Sequence, residues 1–135
     1  DVVFSMAPNV KEYRIPRATF YPQTELLLET FYCGLAAYSI VRHGDGSDGG
    51  RSSSGENWRA IGDDATTQMK ALSENDSKWN FEQKFLLLQA ERAFTNGNVE
   101  EAASGYDRAI ESAKEHRFII DQALSCERAA LFYLE

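Results

Sequence analysis

WNFEQKFLLLQAERAFTNGNVEEAASGYDRAIESA, residues 79–113, reads as two helices joined by a tight turn. Trp79, Phe81, Phe85, Leu86, Leu88 and Phe94 return at helical steps and predict a heavily apolar helix from about Asn80 to Thr95. Asn96-Gly97-Asn98 breaks it, with Gly97 suited to the left-handed conformation that closes a helix. Asn98 is then placed to cap the next helix, and Glu101 three residues on completes a capping-box pattern. Val99, Ala102, Ala103, Tyr106, Ala109, Ile110 and Ala113 give that helix one apolar, mostly small-residue face.

Toward the C-terminus, Glu115-His116-Arg117 forms a polar break before a fifth helix over about 118–135. Glu127-Arg128-Ala129 follows Glu91-Arg92-Ala93 by 36 residues, and in the same register Leu124 falls on Leu88 and Cys126 on Ala90. A period in this range marks stacked helical hairpins. Toward the N-terminus, Trp58, Ile61, Ala65, Met69 and Leu72 predict a helix over about Glu56 to Ser73, capped by Ser53 with Glu56 or by Asn57. It ends in the polar turn Ser73-Glu74-Asn75-Asp76-Ser77. That turn contains a glycosylation triplet at Asn75, which is without weight where no secretion signal precedes it.

A first helix begins at Pro22, where a missing N–H costs nothing in an opening turn. Leu27, Phe31, Leu35, Tyr38 and Val41 form its inner face, and Leu26, Leu28, Tyr32 and Ala36 widen it enough to predict cover on more than one side. Gly34 in mid-helix costs about 1 kcal/mol against alanine, so a neighbouring helix is expected to approach closely there. Residues 43–55, HGDGSDGGRSSSG, lack the apolar content to order themselves and predict a flexible loop. Residues 1–21 show no sustained period and predict an irregular lead-in. The expectation is one all-α domain over 1–135: about five helices in stacked antiparallel hairpins, the fifth without its partner. The chain starts at Asp1 and stops at Glu135 within a helical pattern, so it reads as a piece of something longer.

The central pair resembles a tetratricopeptide repeat. Leu86 and small Ala90 on its first helix, Gly97 at the turn, and Ala102, Tyr106 and Ala109 on its second match that pattern. Ala93 and Lys114 depart from it, where an aromatic and a proline are usual. Small residues would let the helices of a hairpin approach while Leu86 and Tyr106 fill the groove to the next one. Phe85-Leu86-Leu87-Leu88-Gln89-Ala90-Glu91, Tyr106-Asp107-Arg108-Ala109-Ile110, Ala123-Leu124 and Ala130-Leu131-Phe132-Tyr133-Leu134 carry a further resemblance. They are similar to the repeat region of large multidomain signalling proteins with kinase-like, AAA-type ATPase, GAF and histidine-kinase domains. The resemblance is strongest over 79–135 and weaker over Phe20 to Val41. It implies a regulatory or scaffolding segment of an intracellular signalling protein and carries over no ATP-binding or phosphotransfer residue.

Composition narrows the functions. At 135 residues the chain suits one domain that hides about two-thirds of its unfolded surface. A net charge of −7 disfavours nucleic acid and anionic membranes, and no segment approaches the roughly 20 apolar residues of a membrane span. Asp45 and Asp48 lack the alternating ligands and closing glutamate of a calcium loop. Arg51-Ser52-Ser53-Ser54 offers a phosphorylation pattern, against the common occurrence of serines beside arginine on loops. His43 and His116 stand at no metal-ligand spacing, and no phosphate-binding glycine loop is present.

Cys33 and Cys126 each sit in an apolar pattern and read as buried thiols, with a disulfide between them left open. Glu91-Arg92 and Glu127-Arg128 read as solvated or inter-repeat ion pairs rather than a repeated ligand surface. Some tetratricopeptide domains clamp a peptide carboxylate with Lys and Asn; Phe31, Leu35, Leu87 and Glu91 stand at the matching positions, so that clamp is missing.

The expectation is therefore a protein-interaction or scaffold module with no catalytic, cofactor or metal residues, working in the cytoplasm against a protein partner or neighbouring domains of its parent. Truncation after the fifth helix would uncover Leu131, Phe132 and Leu134, a face expected to self-associate or to be covered by the lead-in. The alternative is a stand-alone helical protein holding a small ligand in a cavity lined by Phe31, Tyr38, Trp58 and Phe81.

Overall fold

The computed structural model describes residues 22–44 and 53–135. They form five helices and no strand: α1 Pro22–Arg42, α2 Ser53–Asn75, α3 Lys78–Thr95, α4 Val99–Glu115 and α5 Ile119–Leu134. The lead-in 1–21, most of the predicted loop, the Asp45/Asp48 pair and Ser52 lie outside the described residues, as do the side chains of Ser53 and Ser54. The chain divides into two compact units, 1–30 and 31–135. In the first, the described part is the opening turns of α1, where the Thr30 hydroxyl donates to the Leu26 carbonyl at 2.8 Å. The second holds the stack.

Short turns make α2, α3, α4 and α5 successive antiparallel neighbours. Ser77 caps α3 by accepting from the Asn80 amide at 3.2 Å, so the helix opens at Lys78, two residues before the predicted start. Asn98 caps α4 by accepting from the Glu101 amide at 3.2 Å. Glu101 returns the contact through the Asn98 side-chain amide, 2.8 Å away, rather than through its backbone.

The α3–α4 and α4–α5 turns share one geometry. Asn98 N–H reaches Ala93 O (2.8 Å) and Gly97 N–H reaches Phe94 O (3.1 Å); Phe118 N–H reaches Ala113 O (2.9 Å) and Arg117 N–H reaches Lys114 O (3.2 Å). Both are helix ends closed by a left-handed residue. Gly97 takes that place at φ 82°, and Arg117 takes it at φ 62°.

Small residues set the packing distances. A Cβ added to Gly34 would stand 2.7 Å from Ala65 Cβ, one on Gly62 2.6 Å from the Tyr38 ring, and one on Gly105 2.8 Å from Ala90 Cβ. Thus α1 closes on α2, and α3 on α4, at glycines. The close approach expected at Gly34 is present; Gly62 and Gly105 do the same work. Phe31, Tyr38, Met69, Leu87, Leu88 and Tyr106 fill the core between these contacts, each wholly buried.

Two expected faces are narrower than the sequence suggests. Leu26, Leu28, Tyr32 and Ala36 are exposed, because no described element covers that side of α1. Trp58 and Ile61 are also exposed, since α2 turns Gly62, Ala65, Thr66 and Met69 inward instead.

Candidate functional site

The helices that open each hairpin, α1, α3 and α5, are tied together by buried charge. Arg42 Nη2 of α1 lies 2.7 Å from Glu91 Oε2 of α3, with the carboxylate 1% and the guanidinium side chain 9% exposed. That contact is off-line for a hydrogen bond, so it acts as an ion pair. The hydrogen bond to Glu91 comes from the Tyr106 hydroxyl, which donates to Oε1 at 2.9 Å. Arg42 Nη1 also donates to Thr95 Oγ1 at 3.0 Å, and its guanidinium carbon stands 4.3 Å from the Phe94 ring centre. Burial, reinforced by the Glu91 carboxylate, pushes the Tyr106 phenol well above its ordinary value.

Between α3 and α5 the arrangement recurs with other residues. Lys84 Nζ lies 2.6 Å from Asp121 Oδ2, both side chains buried, and sits 4.7 Å from the Phe118 ring centre. Gln83 donates to the same carboxylate at 3.3 Å and meets His116 Nδ1 through its own oxygen at 3.2 Å. Trp79 stacks on His116 at 4.6 Å. A third link joins α1 to α2 and α3: the Tyr38 hydroxyl donates to Asp63 at 2.7 Å, and Arg92 Nε stands 3.5 Å from the same oxygen. Burial raises the Tyr38 phenol as well.

These contacts position α5 so that one side is committed and the other is open. Asp121, Ser125, Ala129 and Phe132 face inward. Phe132 packs on Phe94 at 5.1 Å and on Tyr106 at 5.3 Å. On the opposite side Ile119, Ile120 and Leu134 are 77%, 74% and 82% exposed, and Leu131 is 46% exposed. Ala123, Cys126, Glu127 and Ala130 lie exposed among them. Of this face the sequence anticipates Leu131 and Leu134; Phe132, expected beside them, belongs to the core, and the alternative of cover by the lead-in lies outside the described residues.

Both thiols are free and exposed, against the expectation of burial. Cys33 is on the side of α1, and Cys126 on the side of α5, that no described helix covers. The four positions matching a peptide clamp, Phe31, Leu35, Leu87 and Glu91, are all buried in the stack. Glu91 and Arg92 each pair with another helix, whereas Glu127 is exposed and Arg128 half-buried, so the two matching phrases sit in different surroundings.

Of the four side chains considered for a ligand cavity, Phe31 and Tyr38 are wholly buried in the core, while Trp58 is at the surface. Surface hollows of about 240 and 430 Å³ occur elsewhere, beside Arg92 and Asn96 and beside Glu74 and Phe85. Among the described residues no group of three or more His, Cys, Asp or Glu is placed to hold a metal ion, and no helix is long and apolar enough to cross a membrane. Of the buried polar contacts, sequence reading reaches Glu91 as one side of a possible inter-repeat ion pair; Lys84 and Asp121 look like ordinary surface charges, and only the aromatic residues next to them hint at burial.

No protein-family model matches the chain, and neither a curated protein nor a solved structure does.

Proposed function

We propose that this chain is a protein-interaction or scaffold module, acting as a regulatory segment of a larger intracellular signalling protein of the ATPase or kinase class. The observation that carries the first half is the outer face of α5, where isoleucine, leucine and alanine stand exposed on a helix whose other side is locked into the stack. Exposed apolar residues gathered on one side of a helix in this way support a contact surface. The tetratricopeptide-like residues of 79–135, and their resemblance to the repeat region of signalling proteins, support the second half. Two exposed free thiols fit a reducing compartment.

The test is a photo-crosslinking residue placed at Leu131 in cells, with Asp107 on the exposed side of α4 as the control position. The reading expects a discrete adduct from position 131, either to another protein or to a further segment of the same polypeptide, and none from position 107. Equal, diffuse labelling from both positions, or none from either, would remove it.

A further inference from the structure

We infer that the trough between α2 and α4, floored by α3, takes an extended peptide carrying an apolar and an acidic side chain four positions apart. It uses no part of α5, so it stands or falls apart from the contact face described above. Among the described residues α2 and α4 each pack on α3 and not on each other. One edge of α3 is left between them, where Lys78, Glu82, Leu86, Gln89, Ala93 and Asn96 follow at steps of four, four, three, four and three. Both walls are tied to this floor. Ser112 of α4 donates to Glu82 at 2.9 Å, and Arg59 of α2 donates to the Asn96 side-chain oxygen.

Two hollows lie along the trough, and they differ in chemistry. The one of about 430 Å³ has the half-buried Phe85 and Leu86 in its lining, which suits an apolar group. The one of about 240 Å³ has only Ala93 as an apolar side chain, while Gln89, Arg92 and Asn96 bring N–H donors to it. Arg92 is 48% exposed and meets Asp63 through Nε alone, at 3.5 Å, so its remaining guanidinium donors are open. The carboxylates nearby are already engaged. Asp63 accepts from the Tyr38 hydroxyl at 2.7 Å, and Glu101 from the Asn98 amide at 2.8 Å. With the Asn96 oxygen taken by Arg59, its amide N–H groups are left to donate. A carboxylate is the group that answers an arginine and amide donors together.

The hollows are centred near residues 83 and 93 of α3, roughly 15 Å apart at a rise of about 1.5 Å per residue. An extended chain rises about 3.3 Å per residue and turns alternate side chains to one face. Side chains four positions apart therefore share a face and stand about 13 Å from each other. An α-helix would need about eleven positions to bring two side chains to one face over the same distance. The shortest peptide that fills both hollows is extended, and the spacing of its two anchors reports its form.

The experiment selects random peptides of about 16 residues, displayed on phage, against the immobilised 135-residue chain, and then measures synthetic copies in solution. Enriched sequences are expected to share an apolar residue and an aspartate or glutamate four positions apart, in either order. Moving the acid by one position turns it to the other face and should weaken binding at least about tenfold. Arg92→Glu should weaken the same peptides at least about tenfold through like charge. Asn96→Asp, which keeps an oxygen for Arg59, should do likewise, and thermal melts establish that both variants fold. No enrichment, enriched sequences without the pair, a pair about eleven positions apart, or affinities that neither variant lowers would overturn the inference. Peptides lost with Leu131→Asp but kept by Arg92→Glu would overturn the trough and leave the α5 reading intact.

Discussion

Four single residues carry strain or charge in ways that solution measurements can read. Arg117 holds the left-handed conformation that Gly97 holds at the preceding turn, and its side chain is exposed. A non-glycine residue there costs about 1–2 kcal/mol, offset in part by glycine's larger entropy when unfolded. Arg117→Gly is therefore expected to raise the unfolding free energy by about 0.5–1 kcal/mol, read from the urea midpoint. Glu91 lies at the opposite extreme, since removing it leaves Arg42 buried without its counterion and the Tyr106 hydroxyl without its acceptor. Glu91→Ala should lose about 3–5 kcal/mol, whereas replacing Glu91 and Arg42 together with leucine and methionine should lose far less. Tyr38 and Tyr106 set a limit at high pH. In the unfolded chain they titrate near 10; in the fold burial keeps them protonated beyond that. Unfolding above pH 10 thus releases protons, so stability is intact below that pH and falls as it rises. The slope is at most about 1.4 kcal/mol per pH unit for each tyrosine. A series of urea midpoints from pH 8 to about 11 should show the fall, and Tyr106→Phe should flatten it.

At the scale of the helix, much of the fold is legible from the chain. Pro22, Asn96-Gly97-Asn98 and the apolar steps of 79–113 locate three boundaries, and alanines at 102, 109 and 113 mark a face against which another helix lies close. Periodicity fails where a helix is covered on one side only. It counts Tyr32, Trp58 and Ile61 as core because a sequence shows which residues share a face but not whether a neighbour exists to cover it. The cysteines are misread for the same reason. It also undervalues Gly62 and Gly105, which look like weak points in their helices and are instead where Tyr38 and Ala90 press in. Gly105→Ala tests this directly. In an open helix the change would gain about 1 kcal/mol; against Ala90 it should instead lose about 1–3 kcal/mol through overpacking. A melting temperature above wild type would show that α3 and α4 have room to spare.

Across the whole stack, buried ion pairs join α1 to α3 and α3 to α5, the earlier helix supplying the cation and the later one the carboxylate each time. The sequence reading groups Phe132 with Leu131 and Leu134 on one face of α5, and the outer seam becomes visible only once Phe132 and Asp121 are seen committed to the interior. Cys126 provides a probe of whether that seam is covered when the protein works, because it is exposed between Ala123 and Ala130 on the same side of α5. The purified chain and the protein in a native extract are labelled with a maleimide, and modification of Cys126 is followed by mass spectrometry. Free labelling of the purified chain, with Cys126 at least about tenfold slower in the extract and restored by Leu131→Asp, is the outcome expected if α5 docks a partner. Equal labelling of Cys126 in both settings would contradict a working role for this face.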